Sequence, residues 1–175
     1  MRERAERALA ILFAWHERLQ EPATGFWGVD QAHNARMALH AMAGATHNFH
    51  LWYACGETPP YFDKAIDSCL SLSPRTDNAC LDVDPVDILA HGHRLLDHRR
   101  RHIEMWLREK IEGLLRLQRD DGGFPDESSG VRRLDGWVKG YEELQGISTW
   151  FRQTFALSFF DAKIVEQGPF VGLKN

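Results

Sequence analysis

The stretch LQRDDGGFPD, Leu117–Asp126, separates two segments that have helical periodicity. A similar phrase, LQEPATGFWGVD, occupies Leu19–Asp30. When the two Leu-Gln pairs are aligned, 98 residues apart, Phe26 falls on Phe124. Glycine lets a chain reverse sharply with positive φ, and an aromatic residue after it can fold back over the helix ends. Each phrase therefore predicts the end of one helix and a tight turn towards the next.

Helical periodicity recurs between such breakers, and no stretch alternates at period two with β-branched residues. The predicted fold class is therefore all-α. The fourth helix has a favourable start at Asp84-Pro85, since aspartate can cap a helix and proline is tolerated at its first position. The spacing predicts six helices, at 3–20, 32–55, 60–72, 84–97, 100–118 and 141–163.

A further apolar segment ends near Leu72, between the two phrases, and a polar turn follows it. The chain thus divides into three units of about 50 residues, a period typical of stacked α-hairpins. We predict one domain, 1–175, with repeats 1–56, 57–98 and 99–165 and a C-terminal tail 166–175. The alternative interpretation is that the two Leu-Gln pairs coincide by chance.

Composition excludes several classes of protein. The 175 residues are 43% hydrophobic and 26% charged, and the net charge is −4. The basic run Arg94–His102 stands among acidic residues, so we expect a solvated helix end and no nucleic-acid partner. The apolar run Ala8–Trp15 is much shorter than the roughly 20 residues of a membrane span. Three cysteines without a CxxC pattern, and a charged start unlike a signal peptide, favour a cytoplasmic protein.

An apolar helix that ends in LQ and continues into DDGGF resembles the repeat of the α/α-toroid of terpenoid cyclases and protein prenyltransferases. The best local match is Leu114–Pro125, with a looser one at Leu19–Gly28. The resemblance implies that outer helices (3–20, 60–72, 100–118) alternate with inner helices (32–55, 84–97, 141–163) that line a cavity. A full toroid has more hairpins than the three for which this chain has room. The resemblance thus implies half a barrel, completed by a homodimer or by the remainder of a longer parent toroid.

Three histidines of the second predicted helix, His40, His47 and His50, fall on one face. Small side chains lie between them, at Ala41–Ala45, so another helix or a ligand can approach. Such a row can relay protons or bind a metal. We predict His47 or His50 as a base or orienting partner, and His40 and Trp52 as substrate contacts. The alternative is that each histidine packs at an interface and bonds to a backbone carbonyl.

The stretch DNACLDVDPVD, Asp77–Asp87, holds four carboxylates and a thiol at the predicted turn before the fourth helix. Because these carboxylates are so close together, ionising all of them would cost electrostatic free energy. We therefore predict that the pKa of at least one of them is raised. A carboxyl of raised pKa suits protonation of an alkene or a leaving oxygen. The Asp-Val-Asp segment resembles part of the DxDD motif of class II terpenoid cyclases, which implies Asp84 as proton donor and Asp82 as the group that sets its pKa. Pro85 departs from that motif, and helix capping by Asp84 is the alternative.

Zinc is the one cofactor that the patterns suggest. Protein prenyltransferases bind zinc through an Asp-x-Cys pair and a distant histidine, whereas here Asn78 replaces the aspartate and the order is reversed in Cys80-Leu81-Asp82. The candidate zinc ligands are Cys80, Asp82 and His47, with donor atoms that zinc accepts. A buried free cysteine is the alternative.

The last predicted helix carries an aromatic stripe, Phe151, Phe155 and Phe159, beside Trp150 and Arg152. If this stripe faces a cavity, aromatic faces would stabilise a cation or stack on a sugar, so Trp150, Phe151, Arg152 and Phe155 are predicted substrate contacts. The alternative is a stripe that packs in the core.

These patterns together predict a small-molecule enzyme that starts its chemistry with an acid, on an isoprenoid or a glycan. Two alternatives stay open: a non-catalytic helical-repeat module that binds a partner or oligomerises, and a zinc-dependent transferase-like site. Fold analogy alone does not choose between the isoprenoid and the glycan. Exposed apolar side chains at Leu9–Phe13 or Phe151–Phe160 would favour the module.

Overall fold

The computed structural model describes residues 2–28, 35–74, 79–118 and 120. Over these ranges the chain forms α-helices and no strand, which confirms the all-α prediction for them. The predicted helix 141–163, with Trp150, Phe151, Arg152 and Phe155, lies outside the described residues, and the toroidal arrangement stays a prediction. The helices are α1 (Arg2–Leu19), α2 (Ala35–Cys55), α3 (Phe62–Leu70), α4 (Ala79–Leu95) and α5 (Arg100–Leu115).

The chain divides into two compact units, Met1–Ser68 and Cys69–Asn175, and the boundary falls inside α3. The first unit contains α1, α2 and most of α3. Its core is aromatic, because Phe49 of α2 contacts Phe62 of α3 with ring centroids 5.1 Å apart. Phe13 of α1 contacts Trp52 of α2 at 4.4 Å. These contacts between rings hold the three helices of the first unit together.

The first Leu-Gln phrase ends α1 and builds the turn that the sequence predicts. The side-chain amide of Gln20 donates to the carbonyls of Gly25, at 2.8 Å, and Pro60, at 2.6 Å. Gly25 has φ +72°, and a Cβ there would lie 2.5 Å from the Ala65 nitrogen and from the Tyr61 oxygen. Glycine is thus required for the left-handed backbone and for the close approach of the turn to the start of α3.

The second unit differs from the prediction at the start of α4. The helix begins at Ala79, so the prediction that it begins at Asp84 is wrong, and residues 79–87 of the acidic stretch are helical where a turn was expected. Pro85 lies inside the helix and cannot donate a hydrogen bond to the carbonyl of residue 81. The early turns are held instead by tertiary contacts, since Asp82 pairs with Lys110 of α5 and Val86 is fully buried.

Helix α5 packs against α4 through one stripe of side chains. Across this interface His93 Nε2 lies 3.1 Å from a carboxylate oxygen of Glu104. At one edge of the second unit, Trp106 Nε1 donates to the carbonyl of Leu72 at 2.9 Å. The buried stripe of α5 consists of Ile103, Trp106, Leu107, Lys110 and Leu114.

Candidate functional site

The most distinctive polar feature among the described residues is an ion pair inside the second unit. Lys110 Nζ lies 2.5 Å from Asp82 Oδ1, and the two side chains are only 2% and 5% exposed. The ammonium also lies 5.8 Å from the centre of the Trp106 ring. A buried charge is costly unless an opposite charge and hydrogen bonds compensate it, so this pair is a constrained arrangement rather than a surface contact.

Asp84 is the second buried carboxyl of α4, and 5% of the residue is exposed. Because two residues turn a helix by roughly 200°, Asp82 and Asp84 leave α4 on nearly opposite sides. Both are nevertheless buried, since α4 is covered on several sides at this level. The sequence alone did not show whether these aspartates face water, and the structure places both in the interior.

The Cys69 thiol lies at the end of α3, within the electrostatic field of Asp84 and Asp87. Burial raises the pKa of this thiol well above its usual range, and the negative charges of Asp84 and Asp87 raise it further. Only the thiolate is a strong nucleophile, so Cys69 is held in its unreactive, protonated form. Its chemical contribution is that of a small, neutral and polarizable neighbour of the acidic groups.

The predicted histidine row lies on the exposed side of α2. His40, His47 and His50 are all exposed, and the rings of His47 and His50 are 6.4 Å apart at an interplanar angle of 87°. They belong to the first unit, whereas Asp82 and Asp84 belong to the second. The structure therefore confirms that the histidines share one face, and their convergence with the aspartates stays a prediction.

Trp52, the predicted substrate contact of α2, is 94% buried in the core of the first unit, against Phe13. Within the described part of the chain its indole nitrogen has no hydrogen-bond partner, and neither has Nδ1 of the buried His16. Burial lowers the pKa of His16. A neutral imidazole therefore lies in this aromatic cluster, where it packs against the Trp27 ring at 5.5 Å.

Within the described residues, 2–28, 35–74, 79–118 and 120, we find no group of three His, Cys, Asp or Glu side chains placed to hold a metal ion. Cys80 is helical, and the placement of its side chain is outside what the structure describes. The trio of Cys80, Asp82 and His47 thus stays a prediction. As a zinc ligand, Asp82 would exchange its ion pair with Lys110 for the metal, because both cations compete for one carboxylate.

Lys110 and Cys69 are the two residues of this site that sequence reasoning missed. Lys110 stands in the apolar stripe of α5, between Leu107 and Leu114 at helical spacing. A lysine in such a stripe is rarely buried without a partner, so its position was a signal for a buried acid on the facing helix. No comparable signal marks Cys69, because buried free cysteines are common.

Comparisons with protein-family models, with curated proteins and with solved structures found no match. The resemblance to the α/α-toroid therefore remains an expectation from the short motifs.

In the part of the chain that the structure describes, every helix is too short or too polar to cross a membrane.

Proposed function

We propose that this protein is a small-molecule enzyme that starts its reaction by donating a proton from Asp84. The observation that carries the proposal is the burial of two carboxyl groups on α4, of which Asp82 has Lys110 as its cationic partner. Two buried carboxyl groups on one helix can take separate acid and base roles when their pKa values are pushed apart. Lys110 compensates the charge of Asp82, and the motif resemblance is what assigns the role of proton donor to Asp84.

The proposed step is proton transfer from the Asp84 carboxyl to an alkene carbon or to a leaving oxygen of the substrate. The substrate then carries the positive charge, and Asp84 becomes a carboxylate that must be reprotonated before the next turnover. His47 or His50 is the proposed base, and the aromatic residues Trp150, Phe151 and Phe155 are proposed to stabilise the cation. The isoprenoid or glycan class of substrate follows from the motif resemblance.

The test compares Asp84→Asn with Asp87→Asn, a half-buried aspartate one turn later on the same helix. Both proteins are incubated with geranylgeranyl diphosphate and with aryl glycosides, and products are measured by mass spectrometry. We expect wild type and Asp87→Asn to form product and Asp84→Asn to lose at least about 100-fold in rate, the usual contribution of a general acid. Equal rates for Asp84→Asn and wild type, with the helical content unchanged, would refute Asp84 as the donor.

A second candidate function is supported by the exposed apolar side chains of α1. Leu9 is 43% exposed and Ile11 is 67% exposed, as the helical-repeat module would require for an apolar contact surface. In this candidate the chain docks a partner, or a second copy completes a barrel. Sedimentation velocity of wild type and Ile11→Glu tests the second copy: a dimer that the substitution dissociates supports it, and a concentration-independent monomer contradicts it.

The zinc-dependent transferase-like alternative has its own test. Metal analysis of the purified protein should give about one zinc per chain if Cys80, Asp82 and His47 form a site. A stoichiometry near zero after purification without chelators would end that proposal.

A further inference from the structure

One side of α1 combines apolar and basic residues in a continuous stripe, which we call the outer stripe. Arg4, Ala8, Ile11, Trp15 and Leu19 follow one another at spacings of three or four residues, so they share one side of the helix. All five are exposed, and the three largest apolar members are 67% (Ile11), 48% (Trp15) and 47% (Leu19) exposed. The side of α1 that packs in the first unit is different, since it carries the buried His16 and also Phe13, whose ring contacts Trp52.

Arginines lie at both ends of the outer stripe of α1. Arg4 lies at its start, and Arg18 lies beside its end. Among the described residues neither arginine has a hydrogen bond or ion pair, so both are available to a partner. Glu6 and Glu17 lie on the opposite side of the helix from Trp15, by the helical period of 3.6 residues. The apolar stripe therefore has an arginine near each end, Glu6 and Glu17 point away from it, and Glu3 pairs with Arg7.

This distribution of charge discriminates between a second copy and an anionic surface. If two α1 helices paired antiparallel about Ile11, Arg4 of one copy would face Arg18 of the other, because the two positions are equally far from Ile11. Like charges opposed in this way destabilise an interface. An anionic surface would instead pair with both arginines while the apolar side chains between them leave water.

We propose that the outer stripe of α1 binds the surface of an anionic lipid bilayer. Nine consecutive residues, 3–11, are all exposed, so the first half of α1 can lie flat on an extended surface without a groove to receive it. A helix with tryptophan and aliphatic residues on one side and arginines at its border is typical of helices that lie in the membrane interface. The net charge of −4 does not prevent this, because salt screens charges beyond about 8 Å and the local arginines dominate. The proposal is independent of the acid chemistry of Asp84.

The experiment is cosedimentation of the full chain with phosphatidylcholine vesicles, with and without phosphatidylserine. We expect binding to the anionic vesicles only, and weaker binding as salt is raised. Each arginine near an anionic surface contributes roughly fivefold, so Arg4→Gln/Arg18→Gln should lower the partition coefficient by about 30-fold. Trp15→Ala should lower it by at least about tenfold, through the apolar area lost.

The matched control is Arg101→Gln/Arg116→Gln, which removes the same charge from exposed positions on and beside α5. It should bind as wild type does, and circular dichroism should show all variants folded, since the altered side chains are exposed. The proposal is overturned by no binding to phosphatidylserine vesicles, by equal binding to neutral vesicles, or by an equal loss in the control. A partner protein with an acidic groove would give the first of these results.

Discussion

Replacement of Lys110 by methionine removes the cationic partner of a carboxylate in the interior of the second unit. Only 5% of the Asp82 side chain is exposed, so water cannot take over the hydrogen bond that Lys110 provides at 2.5 Å. Breaking a buried ion pair on one side leaves an uncompensated charge, and we expect a loss of about 3–5 kcal/mol in the free energy of unfolding. Methionine has nearly the length of lysine, so little of this loss comes from a cavity.

The double variant Asp82→Leu/Lys110→Met distinguishes the charge from the packing. Two apolar side chains of similar volume avoid the cost of burying ions, so we expect the double variant to regain most or all of the stability lost in Lys110→Met. Glu3→Gln is the control, since Glu3 pairs with Arg7 on the surface with 87% and 74% of the side chains exposed. That substitution should cost less than about 0.5 kcal/mol.

Urea unfolding followed by circular dichroism measures these changes, and amide hydrogen exchange of α4 and α5 shows whether the second unit is the part that loosens. The reasoning is refuted if Lys110→Met lowers the free energy of unfolding by less than about 1 kcal/mol, because removing one partner of a buried ion pair should destabilise the protein by more than that. It is also refuted if the double variant is no more stable than Lys110→Met. Unchanged activity in a stable double variant would show that the pair is not needed for the proposed chemistry.

Three further predictions concern the first unit. Gly25→Ala should lower the free energy of unfolding by about 2–5 kcal/mol, because it strains a positive φ and places a Cβ against α3. Gly28→Ala, at φ +81° with open space around it, should lower it by only about 1–2 kcal/mol. Thermal unfolding compares the two variants, and equal losses of stability would contradict the close approach at Gly25. Burial lowers the pKa of His16 from its ordinary 6.5, so stability is complete above that pH and falls as the pH drops towards the lowered value, since the unfolded chain then binds a proton that the folded chain does not. Urea midpoints between neutral and mildly acidic pH should show this decrease, and His16→Gln should reduce it; an unchanged pH dependence in that variant assigns the effect elsewhere. Gln20→Leu removes the side-chain hydrogen bonds to the carbonyls of Gly25 and Pro60 and should lower the free energy of unfolding by about 1–3 kcal/mol. Urea unfolding measures this change, and an unchanged stability would contradict the role of this amide.

Much of the helical architecture followed from local sequence features. The predicted helix 3–20 corresponds to α1, Arg2–Leu19, and 100–118 corresponds to α5, Arg100–Leu115. Both have clear periodicity and a breaker nearby, and such signals act over a few residues. The glycine of the first Leu-Gln phrase was equally informative, because a sharp reversal after α1 needs a residue that tolerates positive φ.

The start of α4 was predicted incorrectly because the local helix-start preference and the tertiary contacts favour different first residues. Asp84-Pro85 is a good helix start by local rules, and proline inside a helix costs roughly 3 kcal/mol. The structure extends the helix back to Ala79, where Asp82 meets Lys110 and the apolar residues around Pro85 are buried. Contacts with another helix outweighed the local preference, and no window of sequence around Asp84 contains them.

What the sequence by itself determined is the set of helices in the described residues, the tight turn after α1, and the concentration of carboxylates in Asp77–Asp87. Only the tertiary structure decided that Asp82 and Asp84 are buried, that Lys110, 28 residues away, pairs with Asp82, and that Cys69 lies in the electrostatic field of Asp84 and Asp87. The physical reason is a difference of range. Helix propensity and turn geometry depend on neighbours in the chain, whereas desolvation and charge compensation depend on which helices pack together in space.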